Sequence, residues 1–429
     1  MERRKFIKST AFGISALLNR QWQYSPGPNS LVPNSDTINS YLNHSKKPLA
    51  IAMWDFSWIL RHHRYGEFEH WRNVLEGLAE RGYNAIRIDA MPQYVSADKE
   101  GKVTEQFRSI RDSWKPVKWG NDYSMNFRPR EALLEFLPEC KKYGIKVGLA
   151  TWFLPHGGPR DVFTEKGGLA RAWIETLTFL QQHGLLDDNT IYVDLLNEYP
   201  FWHGYDWLKK ELDSMEDIKQ FKLNNPDANI PDNQEEVKKG TFNALQKEFY
   251  VNFANETITA LQQKAFNKLY QFSFNKQMPL DQIDLSKFGV IDYHLWFADT
   301  GKLPGLDALG DIDQSKDNAG IFQGLLSAWK SNLPEMTQWM DQQIQGVSDM
   351  ARLHHIPCGN TEGWGPINWL DYPDTDWKWV KEAGSICVDL VKKHDNYKFI
   401  CSSNFTHPQF KGMWEDIKWH KNITSRIKA

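Results

Sequence analysis

The sequence predicts an α/β fold, a (β/α)8 barrel with long insertions in its βα loops. Two observations carry this. Short apolar, β-prone runs alternate with stretches whose apolar residues recur at helical spacing, from residue 49 to the end of the chain. Polar and aromatic residues gather at the carboxyl ends of the runs, where a barrel of this kind has its active face. A length of 429 residues suits one such barrel with insertions.

The elements follow in order. Residues 49–58 open as a buried run and form strand one. Trp71, Val74, Leu75 and Leu78 make one face of a helix that ends at Gly82. Residues 85–90 are strand two and carry Arg87 and Asp89. A loop with Trp114 and Trp119 leads to a helix opened by Pro129, with Leu133, Phe136, Leu137 and Cys140 on its apolar face. Gly144 closes it. Residues 145–153 are strand three, and Leu169, Trp173, Leu177 and Leu180 mark the next helix. Strand four, residues 191–200, is an apolar run that stops abruptly in Asn197-Glu198. A polar insertion fills 203–240, a helix lies near 241–266, and 270–274 is strand five. Residues 290–297 are strand six, 298–331 a second insertion, and 336–355 a helix. Residues 356–362 are strand seven, 377–394 a helix, 399–405 strand eight, and 412–425 the final helix.

Composition excludes several functions. A net charge of −3 offers no field for nucleic acid. No segment is long and apolar enough to span a bilayer. The four cysteines form no CxxC pair and read as buried thiols, with a disulfide possible after export. Arg3-Arg4, Phe6 and Lys8 precede a weak apolar segment, the pattern of a twin-arginine export signal over residues 1–20. An Asn-, Ser- and Pro-rich tether over 21–46 and one domain over 47–429 follow, which points to a periplasmic or extracellular protein. Nineteen tryptophans supply core or platforms for sugar rings.

Glu198 and Glu362 end strands four and seven. Retaining glycoside hydrolysis needs two carboxyl groups about 5 Å apart, one nucleophile and one acid/base, and no metal or organic cofactor. Partial burial beside an ionised partner raises the pKa of the acid/base. Asn197 is placed to bond a sugar hydroxyl. Arg87 either holds the nucleophile ionised or neutralises Asp55 or Asp89. His294, Trp54, Trp152, Trp296 and Trp364 stand at strand ends, where sugar contact is expected. No GxGxxG, P-loop, HExxH or Gly-x-Ser-x-Gly motif is present.

Asn-Glu ending strand four and a lone Glu ending strand seven resemble the large clan of retaining (β/α)8 glycoside hydrolases that includes many cellulases. More narrowly, residues 53–58, 82–89, 148–153 and 192–198 resemble the cellulase-like proteins of bacteria and fungi. The resemblance implies Glu198 as acid/base and Glu362 as nucleophile. Arg87 and His294 match the clan's strand-two arginine and strand-six histidine. Two positions depart from it. Trp296 stands where the clan often has an aromatic hydroxyl touching the nucleophile, a part Tyr293 is then expected to take. Asn404-Phe405 stands in place of a strand-eight tryptophan. Two other readings are a barrel that binds carbohydrate without cleaving it and a metal-dependent isomerase or lyase.

Overall fold

The computed structural model describes residues 47–109, 121, 124–200, 204–214, 244–264, 266–276, 278, 280, 283–303, 319–365 and 376–429. The expected signal and tether, Trp114, Trp119 and most of the first insertion lie outside these residues.

Eight parallel strands form the framework: β1 Leu49–Asp55, β2 Ala85–Asp89, β3 Lys146–Ala150, β4 Thr190–Asp194, β5 Leu269–Gln271, β6 Ile291–Trp296, β7 Cys358–Asn360 and β8 Tyr397–Cys401. Pairing runs β1·β2, β2·β3, β3·β4 and β4·β5 on one side, and β6·β7, β7·β8 and β8·β1 on the other. Phe274–Asn275 extends β5 and pairs with Tyr293 and His294 of β6, which completes the ring. The strands are almost wholly buried, as expected where helices cover a parallel sheet.

Helices α1 Trp71–Glu80, α2 Pro129–Lys142, α3 Gly168–Gln182, α4 Ala244–Gln262, α5 Ala319–Leu353, α6 Trp377–Val391 and α7 Ile417–Lys428 accompany the ring. Their apolar stripes cause the packing. Trp71, Val74, Leu75 and Leu78 of α1 are all buried, as are Leu133, Phe136, Leu137 and Cys140 of α2. Gly82 follows α1 with φ +84°, a left-handed conformation that glycine adopts without steric cost. Asp376 and Asp416 cap α6 and α7 by accepting from Lys378 N and Trp419 N. Inside the ring, Gly148 makes room for Tyr192. A Cβ at Gly148 would lie 2.2 Å from Tyr192 Cζ.

The structure differs from the sequence reading in three places. Strand β4 ends at Asp194, so Leu195–Glu198 leaves the ladder and is held by other strands. Leu195 N donates to Gln271 O and Asn197 N to Thr151 O, each at 2.8 Å. Helix α5 begins at Ala319 instead of 336 and takes in the end of the second insertion. Trp329 supplies the reason: it packs against Phe297 at 4.8 Å and Trp379 at 5.6 Å, extending the apolar face back by two turns. Residues Phe107–Arg108 and Asn126–Phe127, read as loop, pair as an antiparallel ribbon. All four cysteines are buried and free. Among the described residues, no helix is long and apolar enough to cross a membrane.

Candidate active site

The carboxyl ends of β2, β4, β6 and β7 bring Arg87, Glu198, His294 and Glu362 together. One oxygen of each glutamate and one nitrogen of His294 lie within 4.8 Å of one another. Arg87 Nη1 donates to Glu362 Oε2 at 3.0 Å, and Arg87 Nη2 donates to Asn197 Oδ1. Arg87 Nε lies 3.4 Å from Asp55 Oδ1, and Nη2 lies 3.9 Å from Asp194 Oδ2. His294 Nδ1 sits 3.2 Å from Glu198 Oε1 and 3.5 Å from Glu362 Oε2. Asn275 Nδ2 donates to Glu198 Oε2 at 3.1 Å.

Local backbone aims these groups. Glu198 has φ +45°, a left-handed conformation that costs a residue with a Cβ about 1–2 kcal/mol. It is held there by Ser273: Glu198 N donates to Ser273 Oγ at 3.0 Å, and Tyr199 N to Ser273 O at 2.8 Å. Glu362 N donates to Asn360 Oδ1 at 3.2 Å. Glu362 is 1% exposed and Glu198 6%, so Glu198 is the more accessible of the two.

Burial raises the Glu362 carboxyl to about 8; His294 and Arg87 pull it down, and the Glu198 charge pushes it up. Two carboxylates this close hold one proton between them into the neutral range. The sequence reading placed that proton on the acid/base, Glu198. Burial alone would lower the His294 imidazole, but Asp292 and Glu362 outweigh it and raise it to about 10. Burial would likewise lower Arg87, and the carboxylates of Asp55, Glu362, Asp194 and Asp292 hold it well above its ordinary value.

Several expected contacts fall elsewhere. Arg87 faces Asp55 and Glu362; Asp89 instead accepts from Trp152 N at 2.8 Å and Met91 N at 2.7 Å and fixes the ends of β2 and β3. Tyr293 alternates with His294 along β6 and donates to Met278 O at 3.3 Å, so it does not replace the clan's hydroxyl at the nucleophile. Trp54 and Trp364 are buried core and offer no sugar platform. Trp54 Nε1 donates to Thr406 O and packs on Phe68, and Trp364 Nε1 donates to Cys401 O. Trp152 Nε1 donates to Asp55 Oδ2 at 2.7 Å, beside Arg87. Trp296 shares the inward register of His294 and pairs with Trp364. Asn404 N donates to Gly363 O at 2.8 Å, next to Glu362, and both polar atoms of its buried side chain lack a partner among the described residues.

The sequence reading missed Asn275, Asp292 and Thr361. The first closes the β5 extension and the other two lie inside strand-like runs, so period-two alternation from His294 would have flagged only Asp292. The Glu198–His294–Glu362 group has the donor types of a metal site. Arg87, 3.0 Å from Glu362 and 3.3 Å from His294, already places a fixed positive charge against this cluster, which opposes a second cation there.

Residues 51–428 match the family described as "Cellulase-like: Sugar-binding cellulase-like". The chain belongs to this family. A proposed glycoside hydrolase from Parabacteroides distasonis ATCC 8503 superposes on this cellulase-like chain with a TM-score of 0.70 and 26% identity, covering 89% of this chain and 94% of that one. The Clostridial cellulose synthase subunit Z from Clostridioides difficile shares the fold, with a TM-score of 0.50, 10% identity, and 89% and 100% coverage. No curated protein sequence matches. The cellulase-like chain therefore has the fold of glycoside hydrolases.

Proposed function

We propose that this protein is a retaining glycoside hydrolase that cleaves β-linked poly- or oligosaccharides. The observation that carries the reading is the carboxylate pair: oxygens of Glu198 and Glu362 within 4.8 Å, on strands across the ring. Retention needs carboxyl groups about 5 Å apart, whereas inversion needs room for a water between them. Glu362, tied to Arg87 at 3.0 Å, is the nucleophile and attacks the anomeric carbon. Glu198, the more open of the two, gives its proton to the leaving oxygen. It then takes a proton from the water that releases the sugar. The proposed roles need the single proton of the pair on Glu198; the Arg87 contact favours charge on Glu362, against the burial that raises that carboxyl.

The test is product stereochemistry, read by proton NMR during cleavage of defined β-linked oligosaccharides. The first-formed anomer keeps the substrate's configuration; an inverted anomer overturns the reading. Glu198→Gln and Glu362→Gln each lower turnover by about 10²–10⁴ or more while the fold is kept. A second reading, a barrel that binds sugar without cleaving it, has the family's sugar-binding description in its favour. Binding across a glycan panel with no product would select it. We also read the Arg3-Arg4 leader as an export signal, to be checked by the amino terminus of protein recovered from the periplasm.

A further inference from the structure

Beneath the carboxylate pair lies a buried acid that the proposed mechanism does not use. Asp292 stands two residues before His294 on β6, so both side chains point into the ring. Its carboxylate is tightly held: Thr361 N donates to Oδ1 at 2.9 Å, Thr361 Oγ1 to Oδ2 at 2.5 Å, and Gln271 Nε2 reaches Oδ2 at 3.4 Å. The same Oδ2 lies 3.6 Å from His294 Nε2. The other ring nitrogen faces Glu198 and Glu362 at 3.2 and 3.5 Å. The imidazole therefore has a carboxylate oxygen within 4 Å of each nitrogen, three carboxylates in all, and their combined charge favours the doubly protonated ring. Arg87 Nη1 lies nearer the same nitrogen as Asp292, at 3.3 Å from Nε2, and can only donate, so it competes with Asp292 for Nε2; its charge is matched by Asp55, Asp194 and Glu362.

We propose that Asp292 is a positioning residue that keeps His294 in its imidazolium form and oriented between Glu198 and Glu362, and so sets the pH range over which the pair holds one proton. This rests on the proposed glycosidase reading only for its effect on turnover. The groups facing His294 are Asp292 on its own strand, Glu198 beyond β4, Glu362 beyond β7 and Arg87 on β2, with Asp55 and Asp194 one step further. Burial would raise the Asp292 carboxyl, but His294 first, then Arg87 and the Thr361 hydroxyl, hold it below its ordinary value. Without the Asp292 charge the ring holds its proton less tightly and loses it at lower pH, so the carboxylate pair loses the cation that faces it over part of the range. Both proton equilibria of the pair then move to higher pH.

The experiment is an NMR titration of the histidine ring signals, with His294 assigned by its absence in His294→Gln. In the wild-type protein the His294 signal is expected to titrate only above about pH 8, and in Asp292→Asn its midpoint falls by about one pH unit or more. Asp292→Ser, which keeps a small polar group for Thr361, is a second variant with the same expected fall. In parallel, the whole pH profile of kcat/KM in either variant moves toward alkaline pH, whereas a purely structural role would lower activity equally at every pH. An ordinary wild-type midpoint near 6.5, or a midpoint that neither variant lowers, overturns the proposal. If the titrations behave as expected but no glycan is cleaved, the glycosidase reading fails and the Asp292–His294 link stands.

Discussion

Replacing Arg87 by methionine tests how far one cation holds the site together. Methionine fits the stem of the side chain and removes only the guanidinium. At an effective dielectric of about 20, the 3.0 Å contact to Glu362 is worth about 5 kcal/mol of gross attraction, and the 3.4 Å and 3.9 Å contacts to Asp55 and Asp194 about 4–5 kcal/mol each. Most of this offsets the cost of burying the ions, so the net loss from removing one partner is about 3–5 kcal/mol near neutral pH. The loss depends on pH in a definite direction. Burial already holds these acids above their ordinary values, and without Arg87 they rise further. The folded state then binds more protons than the unfolded state, and stability falls as pH rises through that window. Urea denaturation followed by tryptophan emission at pH 5, 7 and 9 reads this directly. Arg87→Lys keeps a charge without the fork and is expected to lie between parent and Arg87→Met. An Arg87→Met protein as stable as the parent at pH 9, with turnover intact, would refute the view that this guanidinium neutralises the buried carboxylates.

Two further outcomes follow from features outside the Arg87 contacts. Because Glu198 has φ +45°, Glu198→Gly should be more stable than Glu198→Ala by about 1 kcal/mol, measured by the same denaturation; equal stabilities would show that the left-handed backbone carries no strain. Burial raises Asp89 to about 7 against its two backbone donors, so this group lowers stability progressively as pH climbs from its unfolded value near 4 toward 7. Comparing Asp89→Asn with the parent across pH 4–8 should show a flatter decline in the variant, and parallel curves would count against the assignment.

Much of the framework could be read from spacing alone. The α1 and α2 stripes, the terminating glycine after α1 and the positions of all eight strands follow from local pattern, because in a (β/α)8 ring each strand is buried by its own neighbouring helices. Helix α5 was read too short because its first turns are rich in glycine and polar residues, and only packing of Trp329 under Phe297 shows their role. At the site, Arg87, Asn197, Glu198, His294 and Glu362 were legible as polar residues interrupting apolar runs, and the structure gathers them. Partners were less legible. That Arg87 faces Asp55 and not Asp89 is decided by strand registry, and the burial of Trp54 and Trp364 by partners distant in sequence, Phe68, Phe136 and Thr406 for one and Cys401 for the other. Tyr293 was misread because a hydroxyl one residue from His294 points to the opposite face of the strand.

The polar column inside the ring also constrains how this protein can change. Asp55, Arg87, Asp194, Asp292, Thr361 and Glu362 are linked to one another beneath the cleft by ion pairs and hydrogen bonds. Altering any one leaves a neighbour's charge or donor stranded away from water, a penalty of several kcal/mol against a marginal total stability. Single substitutions there are therefore expected to destabilise the ring whatever the cleft binds. Divergence toward new substrates is thereby channelled to the βα loops, where a residue such as Asn404 has no partner to strand.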